Sequence, residues 1–386
     1  MEIDGPRPVK REEFPALRRL LNNVFLPGGE ADMFELFPYL LNESNAERLM
    51  VMAEGGELVS HAGMLVREWT CEGVPLTLGL VGSVATAQRC EGKGYATRCL
   101  GALFADAADN GVDAAWISGH LRLYLSRGAA RVGKLRRFDI PASAPEADIE
   151  LHELTKEDIP QARALYSRQP ARFLQTREDW EQAFRTRYIL NSPNRLWGVR
   201  RGGRLSAYLF MCEEGPPNRW PLLSDFAGDR RDVAAALPEI LARMKLAGAE
   251  VYADANDANA QEIFGPIAKT THVEPIYGSI LMLRMAACME RLRPRIAKFC
   301  GRRLAEGLRF SESGVGPGTR AGKDDRLRIE LDGATVELAG RAEVSKLLFG
   351  PPEGDGPPVV AGDATVLERL MSAFPLPPPW FGINYV

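Results

Sequence analysis

The sequence predicts an α/β (α+β) protein of more than one domain. Three features carry this. Short apolar strands alternate with amphipathic helices along most of the chain. The order helices, hairpin, strand–helix–strand occurs twice. The region from residue 287 onward then changes character, with LRIELDG and ATVELAG alternating strictly. A chain of 386 residues also exceeds what one ordinary core supports.

The bulk numbers exclude several classes. Hydrophobic residues are 45% and charged residues 26%, a folded rather than disordered composition. A net charge of -3 gives no global attraction to nucleic acid or an anionic membrane. Arg291, Arg293, Arg295, Lys298, Arg302 and Arg303 recur at helical spacing and read as a solvated face. No apolar run approaches the ~20 residues of a membrane-spanning helix, and MEIDGPRPVKREEF lacks the apolar core of a secretory leader. Six cysteines without a CxxC pair and four histidines without metal-ligand spacing predict a reducing, cytoplasmic setting and no metal.

In chain order, residues 11–25 predict a helix with Phe14, Leu17, Leu21 and Val24 on one side. LPGGEAD breaks it, and MFELFPYLL predicts a second, shorter helix. LMVMAE and ELVSHAGMLV predict a hairpin across Gly55 and Gly56. REWT and PLTLGLVGSVAT predict another strand pair across Glu72 and Gly73. Beyond a glycine-bearing turn, Ala96, Leu100, Leu103, Phe104 and Ala107 mark one helix face, and Gly111 ends it. AAWIS is a short strand, and Arg136 to Ile140 suits one more before the joint PASAPEAD. From Ile149 the pattern repeats: strand, a helix with Asp158 and Pro160 at its start, a hairpin at Gly202 and Gly203, then strand, helix and strand. The last region predicts helices around a hairpin at Asp332 and Gly333. The tail FPLPPPWFGINYV is stiff, apolar and aromatic, and predicts a docked terminus.

The stretch from Val84 to Leu100, VATAQRCEGKGYATRCL, joins strand, glycine turn and helix start. A helix start leaves N–H groups unpaired and adds a partial positive charge, which suits a pyrophosphate. GxGxxG and the P-loop are both poor matches. The stretch EGKGYATRCL instead resembles the acyl-CoA loop of the GNAT acetyltransferases, Arg/Gln-x-x-Gly-x-Gly/Ala. In one register Gly94 and Ala96 take the small positions and Glu91 stands where the family carries arginine or glutamine. In another, Arg89-x-x-Gly92-x-Gly94 fits literally but starts the helix two residues early. The flanking strand and helix favour the first register. One exposed carboxylate costs on the order of 1 kcal/mol or less after screening, and Lys93 and Arg89 are placed to offset it.

The whole order of elements resembles the Eis (enhanced intracellular survival) acetyltransferases. That resemblance implies a catalytic GNAT domain over 1–145, a degenerate GNAT-like domain over 146–286 and a sterol-carrier-protein-like domain over 287–386. It places acetyl-CoA on Val84, Ala85 and Thr86 (the pantetheine arm) and on Glu91, Gly92, Lys93, Gly94, Tyr95, Ala96 and Thr97 (the phosphates). Gly119 and His120 would line the cofactor, with His120 a departure from the family's small polar residue. LYLSRGA implies Tyr124 as general acid, and the α-carboxylate of Val386 would be the base. The resemblance also suggests a homo-oligomer in a multiple of three, such as a hexamer.

The chemistry is consistent. A carboxylate can accept the attacking amine's proton and a phenol can return one to the CoA thiolate. Main-chain N–H groups beside Val84 can hold the oxyanion. Other readings stay open. Tyr124 could be only a packed aromatic, and Val386 only an anchor. Phe25, Asp32, Phe34 and Glu35 could line an amine pocket or simply pack. GDRRDV replaces the glycine loop in the second unit, which predicts a scaffold that binds no CoA. The expected activity is transfer of an acetyl group to a small cationic amine or a lysine side chain. The alternatives are a non-catalytic acyl-CoA or lipid-binding protein and a structural oligomer subunit.

Overall fold

The computed structural model describes residues 2–29, 31–119, 121–145, 149–318 and 324–386. The chain forms two compact units. One holds residues as far as Gly133, Tyr277–Leu376 and Val386. The other holds Lys134–Ile276 and Pro377–Tyr385.

The first unit opens with β1 (Ile3–Pro8), α1 (Phe14–Phe25) and α2 (Met33–Leu36). β2 (Leu49–Glu54), β3 (Glu57–Cys71), β4 (Val74–Thr86), α3 (Tyr95–Asp109), β5 (Ala114–Ile117) and α4 (Arg122–Leu125) follow. The sheet runs β1-β2-β3-β4-β5, with strand Ser279–Met282 beyond β5. The β4–β5 pair is parallel and its crossover is α3, whereas the other pairs are antiparallel. The two expected hairpins share the long strand β3. Glu72 and Gly73, at φ 49° and 87°, turn β3 into β4 as a two-residue hairpin requires. The apolar face of α3 is buried through Leu100, Leu103, Phe104 and Ala107, while Ala96 stays partly exposed.

Two local expectations differ. Ile3–Pro8 is a strand, although its polar, proline-bearing sequence carries no alternation. It lies at the sheet edge, where a missing N–H is tolerated. The second helix ends after one turn, because Pro38 pushes Phe37 out of the α region (φ -124°, ψ 56°).

The second unit holds β6 (Leu135–Pro141), β7 (Glu150–Glu153), α5 (Ile159–Tyr166), β8 (Ala171–Phe173), α6 (Arg177–Thr186) and β9 (Tyr188–Ile189). Then come β10 (Ser192–Arg201), β11 (Arg204–Cys212), β12 (Leu223–Gly228), α7 (Arg230–Met244), β13 (Gly248–Asp254), α8 (Ala258–Phe264) and β14 (Thr270–Glu274). One sheet runs β12-β11-β10-β7 and another β13-β6-β14. β6, which closes the first half in sequence, is thus the central strand of a sheet in the second unit. β15 (Ser279–Met282) follows the second half in sequence and completes the first unit's sheet against β5.

The remainder of the first unit folds as a four-stranded antiparallel sheet with short helices. Its central hairpin turns at Asp332 and Gly333 as expected. Arg341 is 4% exposed and pairs with the fully buried Asp325. It also donates to the carbonyls of Met282 (2.7 Å) and Leu283 (2.9 Å). One guanidinium therefore ties this sheet to β15 through desolvated, charge-assisted bonds. Among the described residues no group of His, Cys, Asp and Glu could hold a metal ion, and no helix is long and apolar enough to cross a membrane.

Candidate active site

β4 and β5 pair from Leu78–Ala114 to Val81–Ile117 and then part. Past that point β4 stays paired with β3, through Gly82–Gly63, Ala85–His61 and Thr86–Ser60. No strand pairs with the other edge of Gly82–Thr86 among the described residues. That edge suits the amide-bearing pantetheine arm, which can add to it as a strand would. Val84 and Thr86 are half-buried and Ala85 is buried. Ser60 donates to the Ala85 carbonyl at 2.9 Å, which fixes that stretch from the β3 side.

The fork has a bulge at its root. β3 advances from His61 to Gly63 while β4 advances from Ala85 back to Gly82, and Ser83 takes a left-handed φ of 49°. His61 holds it. Its Nδ1 lies 2.7 Å from the Ser83 carbonyl, which can only accept, so Nδ1 carries the proton. Nε2 is then a buried acceptor with no partner. Burial lowers the His61 pKa to about 4, against the Ser83 bond, so the ring is neutral near pH 7.

Val386 packs on Gly82, the first residue of β4 past its pairing with β5. Val386 is 7% exposed, and a Cβ on Gly82 would lie 2.6 Å from the Val386 carboxyl carbon. Only glycine admits the terminal carboxyl there. Gly82 was legible as a strand glycine, which often marks a close approach, but not as the seat of the C-terminus.

The loop after β4 leads to α3 through Gly92 and Gly94, at φ 77° and 80°, with open space where each Cβ would stand. The glycines are needed for backbone conformation. Gly94 caps the helix without a side-chain acceptor, and the first turn closes with Arg98 N–H to the Gly94 carbonyl at 3.1 Å. The N–H groups of the Tyr95–Ala96 start precede that bond and point out of the helix end, where the dipole is positive. Glu91, Gly92, Lys93 and Gly94 are exposed, Tyr95 is buried, and Ala96 and Thr97 are half-buried. Lys93 does not offset Glu91 as expected. It pairs with Glu54 at 2.9 Å, and Arg89 pairs with Glu57 at 2.6 Å. The Arg89 pair is well exposed and contributes little stability, while Glu54 in the Lys93 pair is only 13% exposed.

On the β5 arm, Gly119 packs against the Tyr124 ring, with 3.2 Å from its Cβ position to Cε2. Ser279 donates to the Gly119 carbonyl at 2.7 Å. Tyr124 is 7% exposed, and burial raises its pKa while Arg127 opposes the shift, so the phenol is protonated at neutral pH. Arg127 is 1% exposed and bonds the carbonyls of Leu123 and Thr97, the latter at 2.9 Å. It ties the tyrosine helix to the first turn of α3. Sequence spacing marks it only as a basic residue after a tyrosine. His120 lies outside the described residues.

The other expected residues lie on α1, α2 and the turn between them. Asp32 caps α2 by accepting from Phe34 N–H at 2.9 Å and pairs with Arg18 at 3.0 Å. Phe34 packs edge-on to Phe14, while Phe25 and Glu35 are exposed. Asp32 and Phe34 are thus committed to local structure, as the packing alternative holds.

In the second unit the corresponding fork is built without a loop. β12 and β13 touch at one parallel bridge, Leu222–Glu250, and then diverge. Asp229 alone joins β12 to α7, and its carboxylate accepts from Arg231 N–H at 2.8 Å.

A forked parallel strand pair, a glycine turn on a helix start and a buried phenol thus belong to one stretch of the first unit. Residues 5–131 match the family described as an acetyltransferase (GNAT) domain, and that stretch holds the loop, both arms and Tyr124. No curated protein matches the chain. Among solved structures, an Enterococcus faecalis V583 protein described as a probable N-acyltransferase aligns over 100% of this chain and 99% of its own, with TM-score 0.71 and 12% identity. A GCN5-related N-acetyltransferase from Kribbella flavida aligns over 100% and 98%, with TM-score 0.66 and 13% identity. Eis1 from Mycobacterium abscessus aligns over 98% of each chain, with TM-score 0.58 and 13% identity. At such identities the likeness is one of fold.

Proposed function

We propose that the chain is an acetyl-CoA-dependent N-acetyltransferase acting on a primary amine of a small cation or a lysine side chain. The observation that carries this is the terminal carboxyl of Val386 lodged on Gly82 where β4 and β5 part. In this reading the Gly82–Thr86 edge takes the pantetheine arm, and the loop Glu91–Thr97 takes the pyrophosphate on main-chain N–H groups. The amine nitrogen attacks the thioester carbonyl carbon. A C–N bond forms, the C–S bond breaks, and the Val386 carboxylate accepts the amine proton. The Tyr124 phenol returns a proton to the CoA thiolate, and its raised pKa keeps that proton available. N–H groups at the Ser83 bulge would hold the oxyanion. His61, neutral and fixed on Ser83, positions that bulge.

The proposal extends to an Eis-like organisation, with a degenerate second GNAT-like domain, a sterol-carrier-protein-like C-terminal domain and a homo-oligomer working in the cytoplasm; the fold shared with Eis1 over 98% of each chain supports the overall order of elements. The rival is an acyl-CoA or lipid-binding protein without turnover. Thiol release from acetyl-CoA over an amine panel separates them. The proposal expects release by the natural chain and strong loss in Tyr124→Phe and in a chain extended past Val386. Equal release by both variants would refute the assigned acid and base. Tight CoA binding with no release from any amine would favour the binding protein.

A further inference from the structure

The second fork encloses a cleft of about 980 Å³ within the second unit, at the upper end of the range typical of small-molecule sites. Its lining includes Asp225, Asp229, Arg230, Asp254, Asp257 and Arg168, so four carboxylates face two guanidiniums. Arg230 is neutralised in place, donating to Asp257 at 2.8 Å. Asp225, Asp229 and Asp254 remain against the exposed Arg168.

Asp225 is the unusual member. It is 3% exposed, receives one long hydrogen bond from Tyr208 (3.3 Å), and its Oδ2 has no hydrogen-bond partner. The Phe226 and Ile383 N–H groups favour its charged form, and Gly382 packs on Oδ2, with 2.5 Å from its Cβ position to that oxygen. Burial pushes the Asp225 pKa up to about 7, and burial also raises that of Asp254. Both carboxyls therefore lack the positive charge that would offset their desolvation. Tyr252 and Trp380 also line the cleft and stack at 5.6 Å with 24° between ring planes, an apolar wall beside the carboxylates. Their polar ends are already engaged, Tyr252 on Glu274 at 2.8 Å and Trp380 on Ser224 at 2.7 Å, so the wall offers ring surface rather than donors.

We propose that the cleft between β12 and β13 binds an organic ammonium ion with a flat or apolar body, its charge on Asp225 and Asp254 and its body against Tyr252 and Trp380. An ammonium there is offset by the negative charge of Asp225 and Asp254, and aromatic faces favour a cation. An anion such as a CoA phosphate is disfavoured, because the α7 start is capped by Asp229 and the local charge is negative. The site is separate from the proposed transfer reaction and stands without it.

The test uses the full chain, with tryptamine and spermidine as cationic probes and indole-3-propionate as the charge-reversed control. Calorimetry with intrinsic fluorescence is expected to give a tryptamine site that quenches Trp380, that indole-3-propionate does not compete for and that is distinct from any acceptor site by its insensitivity to Tyr124→Phe. Asp254→Asn should weaken tryptamine at least tenfold and leave Tyr124-dependent thiol release unchanged. Asp225→Asn should weaken it at least as much. If that variant melts early, Asp254→Asn and the loss of quenching in Trp380→Phe decide. Tyr124→Phe should leave the affinity unaltered. No binding of either cation below millimolar, equal affinity for the indole acid, or undiminished binding in the Asp254 variant would overturn the proposal.

Discussion

The two units solve one construction in opposite ways. Each has a strand, a helix and a second strand that diverges from the first. In each the helix is 15 residues long, Tyr95–Asp109 in one and Arg230–Met244 in the other. In the first unit residues 87–94 intervene, and glycine at φ 80° caps the helix without an acceptor. In the second, Asp229 is the whole connection and its own carboxylate takes an N–H of the first turn. A helix start can meet an external anion or an internal one, and the linker decides which. The difference also reverses the charge of the space between the strands. One fork offers N–H groups and a protonated phenol, and the other offers carboxylates.

This contrast can be broken at several points. The largest expected effect is at Tyr124. Tyr124→Phe should lower kcat by roughly 10²- to 10⁴-fold, the range for a lost general acid. Tyr252→Phe in the second fork should leave kcat unchanged, and steady-state thiol release measures both. Giving the first fork the second's chemistry comes next. Gly94→Asp adds a charged cap at a position that needs φ 80°. Desulfo-CoA affinity should fall by roughly a hundredfold, about 3 kcal/mol.

The third prediction concerns pH. Asp225 binds its proton more tightly when folded, with a pKa raised from 3.8 to about 7. Its stabilising contribution is therefore full below about pH 3.8 and lost as pH rises through about 7. His61 does the reverse, since its folded pKa is depressed from 6.5 to about 4. Its contribution is full above about pH 6.5 and lost as pH falls through about 4. Each slope is worth on the order of a few kcal/mol over its window. Denaturant melts between pH 4 and 8 should show Asp225→Asn gaining on the natural chain as pH rises, and His61→Gln gaining as pH falls. Parallel curves would mean that neither group is buried as described. The smallest effect is at Glu91. Glu91→Arg should tighten desulfo-CoA by no more than a few-fold, about 1 kcal/mol or less, because the carboxylate is exposed and screened.

Much of this was legible in the residues, and what was missed has physical reasons. The hairpins at Glu72–Gly73 and Asp332–Gly333 follow from local turn chemistry, and α3 from its apolar periodicity. β1 was hidden because an edge strand needs no alternation. The exchange of β6 and β15 between halves was hidden because pairing partners far apart leave no local trace. At the site, Gly92 and Gly94 announce themselves by pattern. Arg127 and His61 do not, since each works through a carbonyl bond set by tertiary packing. Asp225 reads in sequence as an ordinary strand residue, and only its burial at 3% exposure makes it unusual.

The most direct test of the contrast between the forks is a calorimetric titration of the full chain with desulfo-CoA. The account predicts one site per chain, strongly weakened by Gly94→Asp and untouched by Asp229→Gly. Two sites per chain, or undiminished binding in the Gly94 variant, would contradict it.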